Sequence, residues 1–260
     1  MMINLYPHKR GRAQRRYFSG FFAFIGSLAC LLPAHAESES TPQPNSPQHN
    51  SQQLDSRFAC GGIATAGDPR LLEKVQASYA KVTTVQASFA QVAYLSALDV
   101  QEVSTGRVWF QKPGKMRWRY ESPEIQEFGI AGSEVVLYQE TDKQVIVDAA
   151  SSVLLSDLPV SFLLGLGNLK RDFTLLESCK GEGGTIISVV PKDAKSQQGV
   201  RLLKLALAPE TLRPLGAEVI DEAGNITTIR LINPTWNGNL AATDLVVTYP
   251  KGVDVVDRRK

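Results

Sequence analysis

Between residues 103 and 249 apolar side chains keep recurring at every second position, and this spacing constrains the possible folds more than any other feature. The clearest case is 115–121. Met116, Trp118 and Tyr120 alternate there with Lys115, Arg117, Arg119 and Glu121, as in a strand with one buried face. The preceding segment, 103–111, ends at Lys112-Pro113-Gly114, a turn by both Pro and Gly, so the two predict a hairpin. Segments 125–131, 134–139 and 144–148 follow, separated by turn signals such as Gly132-Ser133 and Thr141-Asp142. Further strands are expected at 173–177, 185–190, 201–208, 215–221, 226–232 and 245–249, with Gly183-Gly184 and Ala223-Gly224-Asn225 as hairpin turns. About a dozen short-linked strands, with no βαβ alternation and no internal repeat, predict a mainly β fold, an antiparallel meander curling toward a barrel.

Two interruptions stand out. Asp68 suits an N-cap and Pro69 the first helical position. Leu72, Val75, Tyr79 and Val82 then recur at spacings of three, four and three, which predicts a helix over 69–83 lying on an apolar surface. The stretch 149–166 is rich in Val and Leu, with Pro159 in its middle. It is too apolar for an exposed loop and too broken for one long helix, so two short helices meeting at Pro159 are expected. They either plug the open side of the sheet as core or form a lid with hinges at Pro159, Gly165 and Gly167.

The N-terminal residues read as an export signal. Lys9, Arg10, Arg12, Arg15 and Arg16 precede an apolar run at 21–32, and Ala34-His35-Ala36 follows as a small-x-small cleavage signature. The run is shorter than the ~20 residues a bilayer span needs. Residues 1–36 are therefore expected to be a signal peptide cleaved after Ala36. Arg15-Arg16-Tyr17-Phe18 leaves twin-arginine export open beside the Sec route, and Ser27-Leu28-Ala29-Cys30 leaves open a lipid anchor on Cys30. Residues 37–57, rich in Ser, Pro, Gln and Asn, are expected to be a disordered tether. One folded domain is then expected over 58–260.

Removing the first 57 residues changes the charge and the chemistry. The chain has 28 Lys+Arg and 26 Asp+Glu; six of those bases and three of those acids precede Phe58, leaving 22 and 23, a net −1. No global field favours nucleic acid. All three histidines (His8, His35 and His49) lie in that first part, so the domain has no Ser-His-Asp or Cys-His machinery and no His-ligated zinc. No catalytic residue, metal or cofactor is expected, although carboxylate-only or Ser-Lys chemistry stays formally open. The domain's two cysteines, Cys60 and Cys179, are expected to pair in an oxidising compartment.

Several of these segments carry a resemblance. Gln86-Ala87-Ser88-Phe89-Ala90-Gln91, the run Gly106-Arg107-Val108-Trp109-Phe110-Gln111-Lys112-Pro113-Gly114-Lys115-Met116-Arg117-Trp118, then Tyr120 with Ser122-Pro123, and the tail Pro250-Lys251-Gly252-Val253-Asp254-Val255-Val256-Asp257 together resemble the outer-membrane lipoprotein carrier protein (LolA) family. The resemblance implies an incomplete, half-open antiparallel barrel covered by the N-terminal helix and short lid helices. It also implies a monomeric periplasmic carrier whose cavity takes the acyl chains of acylated lipoproteins. Its expected partners are an inner-membrane lipoprotein-releasing ABC transporter and an outer-membrane acceptor lipoprotein.

On that basis the cavity is expected to be lined by Phe89, Trp109, Met116, Trp118, Tyr138, Leu155, Phe162 and Leu163. Which of Trp109 and Trp118 points inward depends on strand register, because a one-residue slip flips both. The family's basic residue before the hairpin proline, usually Arg, holds the lid by hydrogen bonds to lid backbone. Here Lys112 stands in that place, a point charge without a planar fork. The alternative from another class is a periplasmic sensor or interaction domain on a similar half-barrel, binding a protein partner or another lipid. Lys115, Arg117 and Arg119 on one strand face would dock an acidic partner in that reading, or else form a solvated face.

Overall fold

A computed structural model describes residues 58–150, 168–193 and 199–259. The expected signal peptide and tether and most of the expected lid, with Leu155, Pro159, Phe162, Leu163 and Gly165, lie outside the described residues. Helix α1 (Pro69–Ala80) begins as expected: the Asp68 side chain accepts from the Arg70 N–H, and Pro69 occupies the first turn. It stops three residues short of 83, where Thr84 already starts a strand.

The strands are β1 (Thr65–Ala66), β2 (Thr84–Leu95), β3 (Val100–Gln111), β4 (Lys115–Ser122), β5 (Gln126–Ala131), β6 (Glu134–Gln139) and β7 (Gln144–Ala149). After the short helix α2 (Leu169–Asp172) come β8 (Phe173–Gly181), β9 (Gly184–Pro191), β10 (Val200–Leu207), β11 (Pro214–Asp221), β12 (Ile226–Trp236) and β13 (Asp254–Asp257). They form one sheet in the order β1-β8-β9-β10-β11-β12-β2-β3-β4-β5-β6-β7-β13. Neighbours are antiparallel except β13, which runs parallel to β7. Its edge strands, β1 and β13, do not pair with each other, so the barrel stays open.

One strand was not anticipated and one expectation is corrected. Strand β2, at the centre of the sheet between β12 and β3, is as long as β3; its Ala-rich, Gln-punctuated sequence hides the alternation. Residues 245–249 are not a strand. Leu245 closes a 3-10 turn (Ala242–Leu245), and the last strand comes later, at Asp254–Asp257. The intervening strap lies on the convex face: a Cβ on Gly129 would come within 2.5 Å of Val247 Cγ2, so only glycine lets the strap this close.

The inward side chains of β2–β6 and β8–β12 make one core with α1, including Val75, Val82, Phe128, Ile130, Ile187 and Leu203. Gly106 is needed there for a different reason. A Cβ would lie 2.0 Å from Arg119 O and 2.9 Å from the Phe89 ring, so Phe89, paired opposite it, fills the space a side chain would take. Cys60 and Cys179 form a disulfide that closes a separation of 119 residues and ties the first described segment to β8. Phe58, buried beside Gly216, anchors the same segment.

Candidate functional site

Because the sheet curls, the inward residues of strands distant in sequence converge on an apolar cavity of about 840 Å³, including the space open at its mouth. One wall comes from β3 and β4, with Val108, Phe110, Met116 and Trp118. The opposite wall comes from β10, β11 and β12, with Leu203, Leu205, Val219, Ile229 and Leu231. Trp236 and the Tyr79 ring of α1 complete it. Among the described residues, no lining side chain carries a charge. The fixed polar anchors usual in small-ligand sites are nearly missing among the described lining residues. Such a surface suits hydrocarbon and offers little to orient a reaction.

Register decides which expected residues reach it. Met116 and Trp118 line the cavity. Phe89 packs behind Trp118, with ring centroids 4.5 Å apart. Trp109 pairs with Arg117 and not with Met116, so it faces the convex side, where Arg107 and Arg117 stack over it at 5.4 and 5.0 Å. Its neighbour Phe110 takes the inward place. Tyr138 is likewise convex. It packs with Val145 and Val147 beneath the strap, 6.1 Å from the Tyr249 ring, while Leu137 pairs inward with Phe128. Trp109 and Tyr138 are therefore not cavity residues.

The β10–β12 wall was not singled out from sequence, although alternation in 201–208 and 226–232 marks which of its residues share a face. Two of the three bases on the basic face of β4 are not free to dock a partner: Arg117 and Arg119 both bind Glu127, which is 1% exposed, while Lys115 is exposed.

The family model for "Outer membrane lipoprotein carrier protein LolA" matches residues 80–245, which span the cavity-bearing sheet. The chain belongs to the LolA family. An outer-membrane lipoprotein carrier protein of Methylobacillus flagellatus is 30% identical over 186 residues, 71% of this chain and 88% of that protein. The protein of the same name in Legionella pneumophila (strain Lens) is 30% identical over 185 residues, again 71% and 88%. Among solved structures, an uncharacterized conserved protein of Thermus thermophilus aligns with TM-score 0.49 and 19% identity, over 73% of this chain and 98% of that one.

In this LolA-family chain Lys112 is engaged with α1. Its ammonium donates to the Tyr79 carbonyl, near the helix C-terminus, and sits 3.9 Å from the centroid of the Tyr79 ring. The same carbonyl accepts from the Val82 N–H at 3.0 Å, and Asn237 Nδ2 donates to the Lys81 carbonyl at 3.3 Å. A cation at a helix C-terminus meets the negative end of the helix dipole. Burial holds the Lys112 amine below its ordinary pKa, and burial pushes the Tyr79 hydroxyl above its own. Among the described residues, then, the expected lid latch is a clamp between the β3–β4 turn and the helix that roofs the cavity. Lys112→Leu is expected to lower stability by about 1 kcal/mol, read as an earlier urea midpoint with an unchanged slope.

The expected lid stretch 149–166 begins within described structure: Ala149 ends β7, and Ala150 is buried in the concave core. Beyond the stretch, Leu169 is buried in the same core and its N–H donates to Gln76 Oε1 of α1 at 2.9 Å.

Proposed function

We propose that this LolA-family chain is a periplasmic carrier that shelters the acyl chains of lipoproteins in its cavity and hands them on without chemical change. The observation that carries this reading is the cavity wall, apolar on both sides and, among the described residues, free of charged side chains. Hydrocarbon gains about 0.8 kcal/mol per buried CH₂, so partial burial suffices for binding, and a wall with few polar anchors allows release.

The same proposal covers the route. An inner-membrane ABC transporter supplies the lipoprotein and an outer-membrane acceptor receives it. The signal peptide 1–36 delivers the chain to the periplasm, and 37–57 tethers the domain 58–260. Residues 149–166 act as a lid hinged at Pro159 and Gly165, with Leu155, Phe162 and Leu163 turned to the cargo. Buried Ala150, at the start of that stretch, and buried Leu169, after its end, support a lid that leaves and rejoins the fold on the concave side.

Depletion in the native host tests the reading. Outer-membrane lipoproteins are expected to accumulate in the inner membrane or periplasm, and protein purified from the periplasm is expected to carry lipoprotein by mass spectrometry. Normal lipoprotein sorting after depletion, with an empty cavity and a stoichiometric protein partner, would favour the sensor alternative instead.

A further inference from the structure

The concave face is not apolar along its whole length. Away from the Lys112 turn, the inward positions of β2 run from Val85, Ala87 and Phe89 to Gln91, and those of β3 run from Phe110 and Val108 to Ser104. On β4 they run from Met116 and Trp118 to Tyr120. Gln91, Ser104 and Tyr120 are 2%, 6% and 7% exposed. Polar groups this buried are costly unless hydrogen-bonded.

Their bonding is incomplete. The Tyr120 hydroxyl donates to Gln91 Oε1 at 3.1 Å, which occupies the carboxamide oxygen and leaves its N–H groups without an acceptor among the described residues. The Trp118 indole N–H lies near the same hydroxyl but outside hydrogen-bonding geometry, and it too is buried without an acceptor among the described residues. Trp118 is at the same time a cavity wall, its rings 6.4 Å from the Tyr120 ring. A buried donor left unpaired in a native fold calls for a reason, and the Trp118 N–H is one. It and the Gln91 carboxamide share one neighbour, the Tyr120 hydroxyl, at the boundary between hydrocarbon-like and polar surface.

We propose that the Trp118 N–H and the Gln91 carboxamide form a subsite for the carbonyl group that joins an acyl chain to its polar head. This rests on the carrier reading and adds a specificity to it. The cavity takes the hydrocarbon, and the two donors recognise the ester or amide carbonyl next to it. Tyr120 positions Gln91 by holding its oxygen and turning its N–H groups to the cargo. Cargo with ester-linked chains is then preferred over the same chains on ether links, which offer no carbonyl.

The test is a binding titration of the full-length mature protein with two matched pairs of probes. One pair is a dipalmitoyl-glyceryl-cysteine peptide and its dihexadecyl ether counterpart. The other is dipalmitoyl phosphatidylglycerol and its diether. Loss of one buried hydrogen bond or more predicts about tenfold weaker binding of an ether form. A preference in the lipopeptide pair supports a lipoprotein source of the carbonyl, and a preference only in the phospholipid pair assigns the subsite to phospholipid. Equal affinity for ester and ether in both pairs overturns the subsite while leaving the carrier reading standing. Binding of no probe at all overturns both.

Trp118→Phe and Gln91→Met are expected to bind the ether probes as the unaltered protein does, and to lose the ester preference. If both keep it, these residues are not the donors. Should either variant fail to fold, the ester-to-ether ratio of the unaltered protein still decides.

Discussion

Glu127→Leu is expected to destabilise the fold by about 3–5 kcal/mol, the cost of removing one partner from a buried ionic cluster. Glu127 sits on the convex face of β5, 1% exposed, and it is the shared anion of two arginines on β4. Its Oε2 accepts from Arg117 Nε at 2.9 Å, and its Oε1 accepts from Arg119 Nη1. The Arg117 guanidinium also stacks on Trp109, so it has little freedom to turn toward water. Without the carboxylate, two cations remain close together on a partly covered surface. The loss falls toward the lower end of that range because the Arg119 side chain is 29% exposed, can rehydrate, and retains Glu121 at 3.8 Å.

Urea unfolding of the variant measures the loss. A companion variant gives the sharper check. Arg117→Met and Arg119→Met added to Glu127→Leu are expected to restore most of the stability, since an apolar replacement of a whole buried cluster is often neutral or better. A single variant as stable as the parent would mean that the cluster contributes nothing.

The second large effect is expected from the disulfide. Cys60→Ser is expected to cost about 2–5 kcal/mol, because the bond closes a long loop and removes entropy from the unfolded chain. Cys60 is the better site for this change. It is exposed, so a serine hydroxyl there is solvated, whereas Cys179 is 8% exposed and a hydroxyl in its place would add a separate burial cost. Reductant is expected to shift the unfolding midpoint of the parent to that of the variant and to leave the variant unchanged. If reduction and the substitution both leave the midpoint in place, the first segment is held by Phe58 and the β1–β8 pairing alone.

Sequence alternation and structure agree best where a strand is short and flanked by turn residues. The strand Glu134–Gln139 was expected at those limits and is observed at them, because Gly132-Ser133 and Thr141-Asp142 punctuate it locally. Helix α1 was legible for the same reason: its N-cap, its proline and its apolar stripe are all within one segment. Strand β2 was not. From Phe89 to Val92 it is buried on both faces, with polar Gln91 on the concave side and apolar Ala90 and Val92 on the convex side, so residue type does not alternate with the faces there. The final strand was misplaced for a related reason. Val247 and Val253 cover the convex face from a strap, and apolar burial does not require a strand.

The cavity shows the same division. That Met116, Trp118 and Tyr120 share a face follows from a period of two. That this face is concave, and that Trp109 belongs to the other, depends on pairing Trp109 with Arg117 and Phe110 with Met116. The β10–β12 wall comes from a second run of strands nearly a hundred residues further on, and only the curl of the sheet brings it opposite the first.

The residues alone set the expectation of export and determine a mainly β domain free of histidine, one amphipathic helix and the alternating faces of most strands. All of these follow from composition or from neighbours a few positions apart. Only the folded chain shows which face encloses the cavity, that Lys112 clamps a helix, and that Arg117 and Arg119 are bound to a buried carboxylate. Those facts depend on register and curvature, which arise from contacts between strands that no local spacing records.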